Sequence, residues 1–468
     1  MDQKLTDLSV DKLLRKFGAG NHKPGSGSAS AFQGMLSAKL ILTVINLTER
    51  KNSKGNYTRH LPELLGIRKD IEEKIYPELE RLFHEDALEF DKVIDLRRQR
   101  DDESDPFKKH AILEDLKNSL KKATEIPIDI AECCLQLADF SVATFDGGFQ
   151  SARGDSGVAL NGAIAAVVGC LNIIELNLIS LPLTDWTTAI IRKKDAIKLR
   201  CNVVSSDSMN RLKVLEDEVR EHLRFQEAVA EFQQGDLSNS IKSDADLERL
   251  VRKLQNALWI NKDYIWKGNA PEYAMDVLKP ETVLKKVLGY QYVEESTLGT
   301  HLVGSEHFEV AGLIDKSKKV VLLSKGFPDE TRRFTAAHEL GHAILHNQTI
   351  LHRDRPIDGS SQAPRTPEET QANKFAALFL MPSSVVKEVV VDVFKTERFE
   401  INEGNVLALR EGDIHSFRRR CQNLRGLSRR IAVADYFGGT SFNPLHKVFG
   451  VSVETMAIRL EELGFVNF

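Results

Sequence analysis

The chain has 468 residues, with 64 Lys and Arg against 68 Asp and Glu, which gives a formal net charge of −4. With 42% hydrophobic and 28% charged residues, the composition excludes a disordered, collagenous or membrane-embedded chain, and the length predicts two or three domains. The charge argues against a strongly basic nucleic-acid binder. The five scattered cysteines form no CxxC pair and the first ten residues contain no apolar run. We therefore expect a cytoplasmic protein without a disulfide framework or a thiolate zinc cage.

The N-terminal part of the chain has the periodicity of helices. From residue 5 to about 204, apolar residues recur at spacings of three and four, most clearly over residues 61–98 and 111–140, which predicts an all-α helical domain. The apolar stretch 158–183 has the length of a membrane span, but it contains Glu175 and three asparagines. Because such groups are costly in hydrocarbon, a buried core helix is the better interpretation.

Two glycine-rich loops precede helices in this part. The first runs through Pro24, Gly25, Ser26, Gly27 and Ser28, and the second contains Arg153 and Asp155. Loops of this kind let backbone N–H groups approach an anionic or planar ligand at the start of a helix. A tight turn is the simpler interpretation of the first loop alone.

Together with EDALEFD at residues 85–91 and ATEIP at 123–127, these loops resemble the cyclodeaminase/cyclohydrolase family. These all-helical domains act on formimino- or methenyl-tetrahydrofolate. The resemblance implies at least a dimer, a folate-like ligand near the loop Pro24 to Ser28, and an acidic residue at Asp155. The chain departs from the family at Phe149, where Asn is usual, and at Gly154, where Ser is usual, so the fold transfers better than the activity.

The residue pattern changes in the second half of the chain. Residues 206–270 are polar and charged and predict a helical linker, with an amphipathic helix over 210–234. The predicted domains are therefore 1–205 and 271–468. Two β-type runs at 308–314 and 319–323 flank a turn-forming DKSK sequence and predict a hairpin in an α+β domain.

The most informative motif is HELGH at residues 338–342. His338 and His342 lie four residues apart, so on a helix both imidazoles project from one face and can bind the same Zn²⁺. Glu339 then lies beside the metal and can serve as general base for a water molecule, passing its proton to the leaving amine. Residues 328–330, Pro-Asp-Glu, are a good start for this helix.

A catalytic zinc site also requires a third protein ligand. We favour Glu369, because Asn373 follows it by four residues and can support a ligand histidine from the same face. Glu368 is the alternative, but it points about 100° away on the helix. His346 lies about 12 Å along the axis from His338, too far to share the metal, and is interpreted as a surface or packing histidine.

These motifs resemble the ImmA/IrrE family of bacterial zinc metallopeptidases over residues 313–382, and VFGVSVETMAIRLEELG at 448–464 resembles its closing segment. The resemblance implies a zincin-like α+β fold and a gluzincin-like site with His338, His342 and Glu369 as ligands and Glu339 as base. Known members cut helix-turn-helix repressors and switch on stress-related genes. The strand 319–323 would lie beside the site and could pair with an extended substrate.

The sequence thus predicts a zinc-dependent metalloendopeptidase, cytoplasmic and without a membrane or direct nucleic-acid partner. Its expected substrate is a helix-turn-helix transcriptional repressor, and its expected regulator is a homodimeric N-terminal domain that senses a folate-like small molecule. The alternative function is a folate-dependent cyclodeaminase or cyclohydrolase whose C-terminal domain is a binding module. A third interpretation has both halves as interaction domains of a transcriptional switch.

Overall fold

A computed structural model describes residues 5–237, 241–303, 306–347, 352–354 and 366–468. The chain forms two compact units, Met1–Glu218 and Val219–Phe468. The first unit is built from helices and the second from helices and short strands. The all-α prediction for the N-terminal half and the α+β prediction for the C-terminal half are therefore confirmed.

The first unit contains six helices and the start of a seventh among its described residues: α1 (Val10–Phe17), α2 (Ser26–Lys51), α3 (Leu61–Asp70), α4 (Tyr76–Asp102), α5 (Pro106–Gly147), α6 (Arg153–Ile179) and α7 (Asp185–Gln233). A π-helical turn, Ile71–Ile75, joins α3 to α4. Helix α5 begins earlier than the periodicity predicts because Asp105 caps it, accepting bonds from the N–H groups of Phe107 and Lys108.

Helices α2 and α6 pack closely through small residues. A methyl group added at Gly162 would lie 2.7 Å from Ser37 Oγ, and one added at Gly169 would lie 2.7 Å from Ser30 Oγ. The residue numbers rise on α6 as they fall on α2, so the two helices run antiparallel. The start of α2 therefore lies beside the end of α6.

Two stretches of this unit, α2 and Gln150–Ile179, could cross a membrane by length and composition alone. The most apolar window of the first is 61% buried and that of the second is 39% buried. Helix α6 buries one side, including Ala163 and Val167, so it is a core helix on that side only. Its other side, which we name the α6 face, exposes Val158 (60%), Val168 (45%), Leu176 (66%) and Ile179 (81%).

The second unit holds the remaining helices: α8 (Asp244–Ile260), α9 (Lys262–Trp266), α10 (Pro280–Thr282), α11 (Asp329–Leu345), α12 (Pro367–Leu380), α13 (Ser383–Phe394), α14 (Glu403–Ala408), α15 (Ile414–Cys421), α16 (Leu424–Val433), α17 (Leu445–Val448) and α18 (Val453–Glu462). Its strands are β1 (Gln291–Glu295), β2 (Thr300–Val303), β3 (Glu306–Glu309), β4 (Gly312–Asp315), β5 (Val320–Ser324), β6 (His352–Asp354), β7 (Phe399–Glu400), β8 (Tyr436–Phe437), β9 (Thr440–Ser441) and β10 (Val466–Asn467).

The division at residue 218 differs from the helical linker predicted over 206–270. The last part of α7 and the whole of α8 bury apolar side chains in the core of the second unit, among them Phe225, Val229, Phe232, Leu247 and Leu254. An amphipathic helix looks solvated in sequence, but its apolar stripe here has a partner surface.

The main sheet has the strand order β1-β5-β4-β6. Strand β5 pairs with β1 in parallel and with β4 antiparallel, and β4 also pairs antiparallel with β6. The predicted hairpin is present as β4 and β5, although the run 308–314 is divided between β3 and β4. The prediction that strand 319–323 could pair with a substrate is wrong, because both edges of β5 already have partner strands.

Candidate metal centre

Helices α11 and α12 bring His338, His342 and Glu369 together. The Nε2 atoms of the two histidines are 2.9 Å apart, and they lie 3.2 and 3.4 Å from the two carboxylate oxygens of Glu369. The three ligand atoms all fall within 4.8 Å of one another. Two imidazoles and a carboxylate suit Zn²⁺ chemically, and three protein ligands leave a fourth position for water in a catalytic site.

A close approach of the two helices sets this geometry. A methyl group added at Gly341 would lie 3.2 Å from Ala372 Cα and from two carbon atoms of Phe375. Helix α12 starts at Pro367, where the Thr366 hydroxyl accepts a bond from the N–H of Glu369. Its first turn, which carries Glu369, is therefore held near α11.

Of the other two residues considered for the site, Asn373 contacts a ligand histidine and Glu368 lies outside the ligand cluster. Asn373 lies where the sequence places it, accepting a bond from His338 Nδ1 at 2.9 Å. This contact leaves Nε2 of His338 free of a proton and directed at the other ligand atoms. Glu368 is not part of the three-residue cluster and instead lines a cavity with Pro367 and Lys374.

The sequence predicts His346 as a surface or packing histidine, and the structure buries it against His342 and Gln371, outside the three-residue ligand cluster. It is 3% exposed, its Nδ1 lies 3.0 Å from Nδ1 of His342, and its Nε2 lies 2.9 Å from Oε1 of Gln371. Sequence reasoning missed both His346 and Gln371. The available signal was the spacing of four residues between His342 and His346, which places their rings side by side on a helix.

Glu339 is fully buried on α11 and lies against the backbone of β4. A methyl group added at Gly312 would be 2.7 Å from Glu339 Oε1 and 2.4 Å from Cγ2 of Thr335. Gly312 therefore leaves room for the carboxylate next to the metal-binding face of α11. A carboxylate held there can accept a proton from a water molecule and return it.

Two other segments of the second unit form hydrogen bonds with the C-terminal end of α11. The Lys316 ammonium donates to the carbonyl oxygens of Gly235, at 2.9 Å, and of His346. The N–H of Leu237 donates to Leu345 O at 3.1 Å. Burial lowers the pKa of Lys316 to about 8.

In the first unit, the loop Pro24 to Ser28 has an internal partner. The N–H and hydroxyl of Ser28 donate to Oδ2 of Asp86 at 2.6 and 2.8 Å, and a methyl group added at Gly27 would lie 2.0 Å from Asp86 Oδ1. The carboxylate of Asp86 thus caps α2. The glycine at position 27 is explained by this contact without a bound ligand.

The two predicted ligand loops of the first unit lie far apart. Arg153 donates to both carboxylate oxygens of Glu218, at 2.8 and 2.6 Å, and Asp155 is in the first turn of α6. The N–H of Phe149 donates to Thr48 Oγ1 at 2.8 Å, near the end of α2. Thr48 lies about 30 Å along the helix from Ser28, so one chain does not bring these loops into a single site.

Comparison with known proteins finds a similar family for a segment of each half. Residues 9–195 match the formiminotransferase-cyclodeaminase family model, and residues 292–400 match the model of the IrrE N-terminal-like domain. The radiation response metalloprotease IrrE of Deinococcus radiodurans is 37% identical over 81 residues, which are 17% of this chain and 24% of that protein. The methenyltetrahydrofolate cyclohydrolase of Methylorubrum extorquens is 25% identical over 162 residues, 34% of this chain and 74% of that protein.

Among solved structures, the formiminotetrahydrofolate cyclodeaminase of Thermotoga maritima aligns at 19% identity and a TM-score of 0.40, covering 45% of this chain and 98% of that one. The match to the Deinococcus protein spans about a quarter of its length and the second family match ends at residue 400. The metal centre falls inside this second match. The chain therefore joins a formiminotransferase-cyclodeaminase domain to an IrrE-like metallopeptidase domain.

Proposed function

We propose that the chain is a zinc-dependent metalloendopeptidase with His338, His342 and Glu369 as metal ligands and Glu339 as general base. The observation that carries the proposal is the convergence of the three ligand atoms within 4.8 Å, from two buried histidines on α11 and a partly buried carboxylate on α12. The match of residues 292–400 to the IrrE-like domain supports it independently.

The residues have separate tasks in this mechanism. Bound zinc would supply a Lewis acid that polarises the scissile carbonyl and acidifies the attacking water. Glu339 accepts a proton from that water as its oxygen bonds to the carbonyl carbon, and delivers the proton to the amine nitrogen as the C–N bond breaks. Asn373 holds His338 through its Nδ1, which leaves the Nε2 lone pair available to a metal that His338, His342 and Glu369 would hold.

The proposed substrate is a specific protein, a helix-turn-helix transcriptional repressor of stress-related genes. The support is the resemblance of the two metal helices to repressor-cleaving peptidases, and the similarity to the radiation response metalloprotease of Deinococcus radiodurans agrees with a stress role. We place the protein in the cytoplasm and assign it no direct nucleic-acid partner.

We propose further that the N-terminal domain is a homodimeric sensor of a folate-like molecule that controls the peptidase. The α6 face supports a dimer, since its four large apolar side chains are 45–81% exposed in one chain. The second candidate function, folate-dependent cyclodeaminase or cyclohydrolase activity, is favoured by the match that covers 74% of the Methylorubrum cyclohydrolase.

The test of the peptidase uses the full chain, zinc analysis and a panel of helix-turn-helix repressors. Wild type should contain stoichiometric zinc and cleave one repressor, whereas Glu339→Gln should keep zinc and lose cleavage. Glu330→Gln, a carboxylate change in the first turn of the same helix, is the matched control and should cleave normally. Absence of zinc from the wild type, or equal cleavage by Glu339→Gln, would refute the proposal.

The N-terminal domain is tested by absorbance titration with reduced folates. Saturable binding without turnover supports a sensor, and turnover that disappears in Asp155→Ala supports the cyclodeaminase alternative. Because Asp86 occupies the start of α2, Asp86→Asn distinguishes a ligand contact from a structural cap. If Asp86 is only a helix cap, Asp86→Asn should lower the unfolding temperature and leave the affinity for folate unchanged.

A further inference from the structure

The buried imidazole of His346 connects the metal-site residue His342 to Gln371. His346 stands between them, with 3.0 Å between the two Nδ1 atoms and 2.9 Å from its Nε2 to the Gln371 amide oxygen. His346 is 3% exposed and follows His342 by one helical turn, whereas Gln371 comes from α12. The metal-facing nitrogen of His342 is the opposite one, Nε2, which lies 2.9 Å from Nε2 of His338.

With the amide oxygen of Gln371 facing His346, only one placement of the protons on the two neutral histidine rings satisfies both hydrogen bonds. The Gln371 amide oxygen can only accept, so Nε2 of His346 carries the proton and Nδ1 of His346 has a lone pair. That lone pair must accept from an N–H, which places a proton on Nδ1 of His342. Nε2 of His342 is then unprotonated, as a metal ligand requires.

Reversing the Gln371 amide reverses every bond in the row. An amide N–H donated to Nε2 of His346 would put the proton on Nδ1 of His346 and a lone pair on Nδ1 of His342. His342 would then carry its proton on Nε2, where it would block the metal. The orientation of one amide on α12 thus determines whether His342 can act as a ligand.

We propose that Gln371 and His346 form an orienting relay that fixes the tautomer and ring position of His342. Both are positioning residues, since they act on the metal through His342 and do not touch it. The inference rests on the proposed zinc site and deepens it. Helix α12 would then orient both metal histidines, His338 directly through Asn373 and His342 through the relay.

The test measures zinc affinity of the full chain by competition with a chelator. Gln371→Leu removes the acceptor and His346→Phe removes the relay, and each should weaken zinc binding by about 10- to 100-fold. Gln371→Glu restores an obligate acceptor and should bind zinc within about threefold of the wild type. Thr370→Val, next to Gln371 on α12, is the matched control and should also retain zinc affinity.

Two further measurements separate positioning from loss of fold. In the Co²⁺-substituted protein, Gln371→Leu should change the visible absorption of the metal while Gln371→Glu does not. In metal-free protein labelled with ¹⁵N-histidine, the His342 resonances should report Nδ1–H in the wild type and a tautomer mixture in Gln371→Leu. Thermal unfolding and gel filtration verify that each variant is folded.

The outcomes distinguish this inference from the proposed function. Equal zinc affinity and equal ¹⁵N shifts in wild type and Gln371→Leu would overturn the relay and leave the peptidase intact. Tight zinc binding with no protein cleavage would overturn the peptidase and leave the relay intact. A wild type that binds no zinc would overturn both.

Discussion

The substitution Gly312→Ala should displace Glu339, the proposed general base. In Gly312→Ala the new methyl carbon would lie 2.4 Å from Thr335 Cγ2 and 2.7 Å from Glu339 Oε1. Ordinary contacts between heavy atoms are about 3.5–4.0 Å, so the neighbours must move by roughly 1 Å. The nearest atoms to the new methyl belong to Thr335 and Glu339, and the displacement therefore falls on these two side chains.

The size of the effect follows from this overlap. Overpacking a buried site costs about 1–3 kcal/mol of folding free energy, and a misplacement of about 1 Å in a catalytic group can cost about 100-fold in rate. We expect Gly312→Ala to unfold at a lower temperature, keep its zinc and lose about 100-fold in kcat for repressor cleavage. The three measurements are a calorimetric scan, metal analysis and a gel-based cleavage time course.

Two control variants test whether the loss of cleavage comes from the displacement of Glu339. Gly404→Ala in α14, whose methyl would meet its nearest atom at 3.4 Å, should change stability by no more than about 1 kcal/mol and leave cleavage alone. Thr335→Ser combined with Gly312→Ala removes the 2.4 Å overlap but keeps the 2.7 Å overlap with Glu339, so stability should recover in part while cleavage stays low. Wild-type cleavage by Gly312→Ala would show that Glu339 is not the base or is not held by β4.

Three further predictions concern other parts of the chain. Gly27→Ala drives a methyl group into Asp86 and should lower the unfolding temperature of the first unit, whereas Gly66→Ala, with open space around it, should not. Since burial lowers the pKa of Lys316 to about 8, the unfolded chain binds this proton more tightly between about pH 8 and 10.5, and stability should rise with pH across that window. Lys316→Met should reduce that rise in urea unfolding curves. Leu176→Glu, on the α6 face, should convert the proposed dimer to monomers in sedimentation experiments, and an unchanged mass would contradict the proposal.

Helices α11 and α12 and their site residues could be predicted from the sequence because the signals come from residues close together in the chain. Spacings of four residues place His338 with His342 and Glu369 with Asn373 on shared helical faces. Pro367 in the first turn and Pro382 just after the last residue set the limits of the second helix. Each of these signals lies within one helix, so no knowledge of the tertiary structure was needed.

The relay and the strand pairing depend on contacts between distant segments. Gln371 lies about 200° around α12 from Glu369, so helical spacing alone argues against its presence in the site. The second partner of β5 is β1, whose residues precede their partners by 29 positions in the chain, as in Gln291 with Val320. The separation of the two glycine loops likewise follows from the antiparallel packing of α2 against α6, which the motifs themselves do not encode.

Helix α11 has no side open to water from Phe334 to Leu345. Its histidines and carboxylate therefore lie in the core of the second unit, where polar groups are costly without a partner. A cation that binds only the folded chain would add its binding energy to the stability of this unit. In a cell short of zinc, newly made chains would unfold more often and be degraded sooner, so the amount of this protein should follow the intracellular zinc supply.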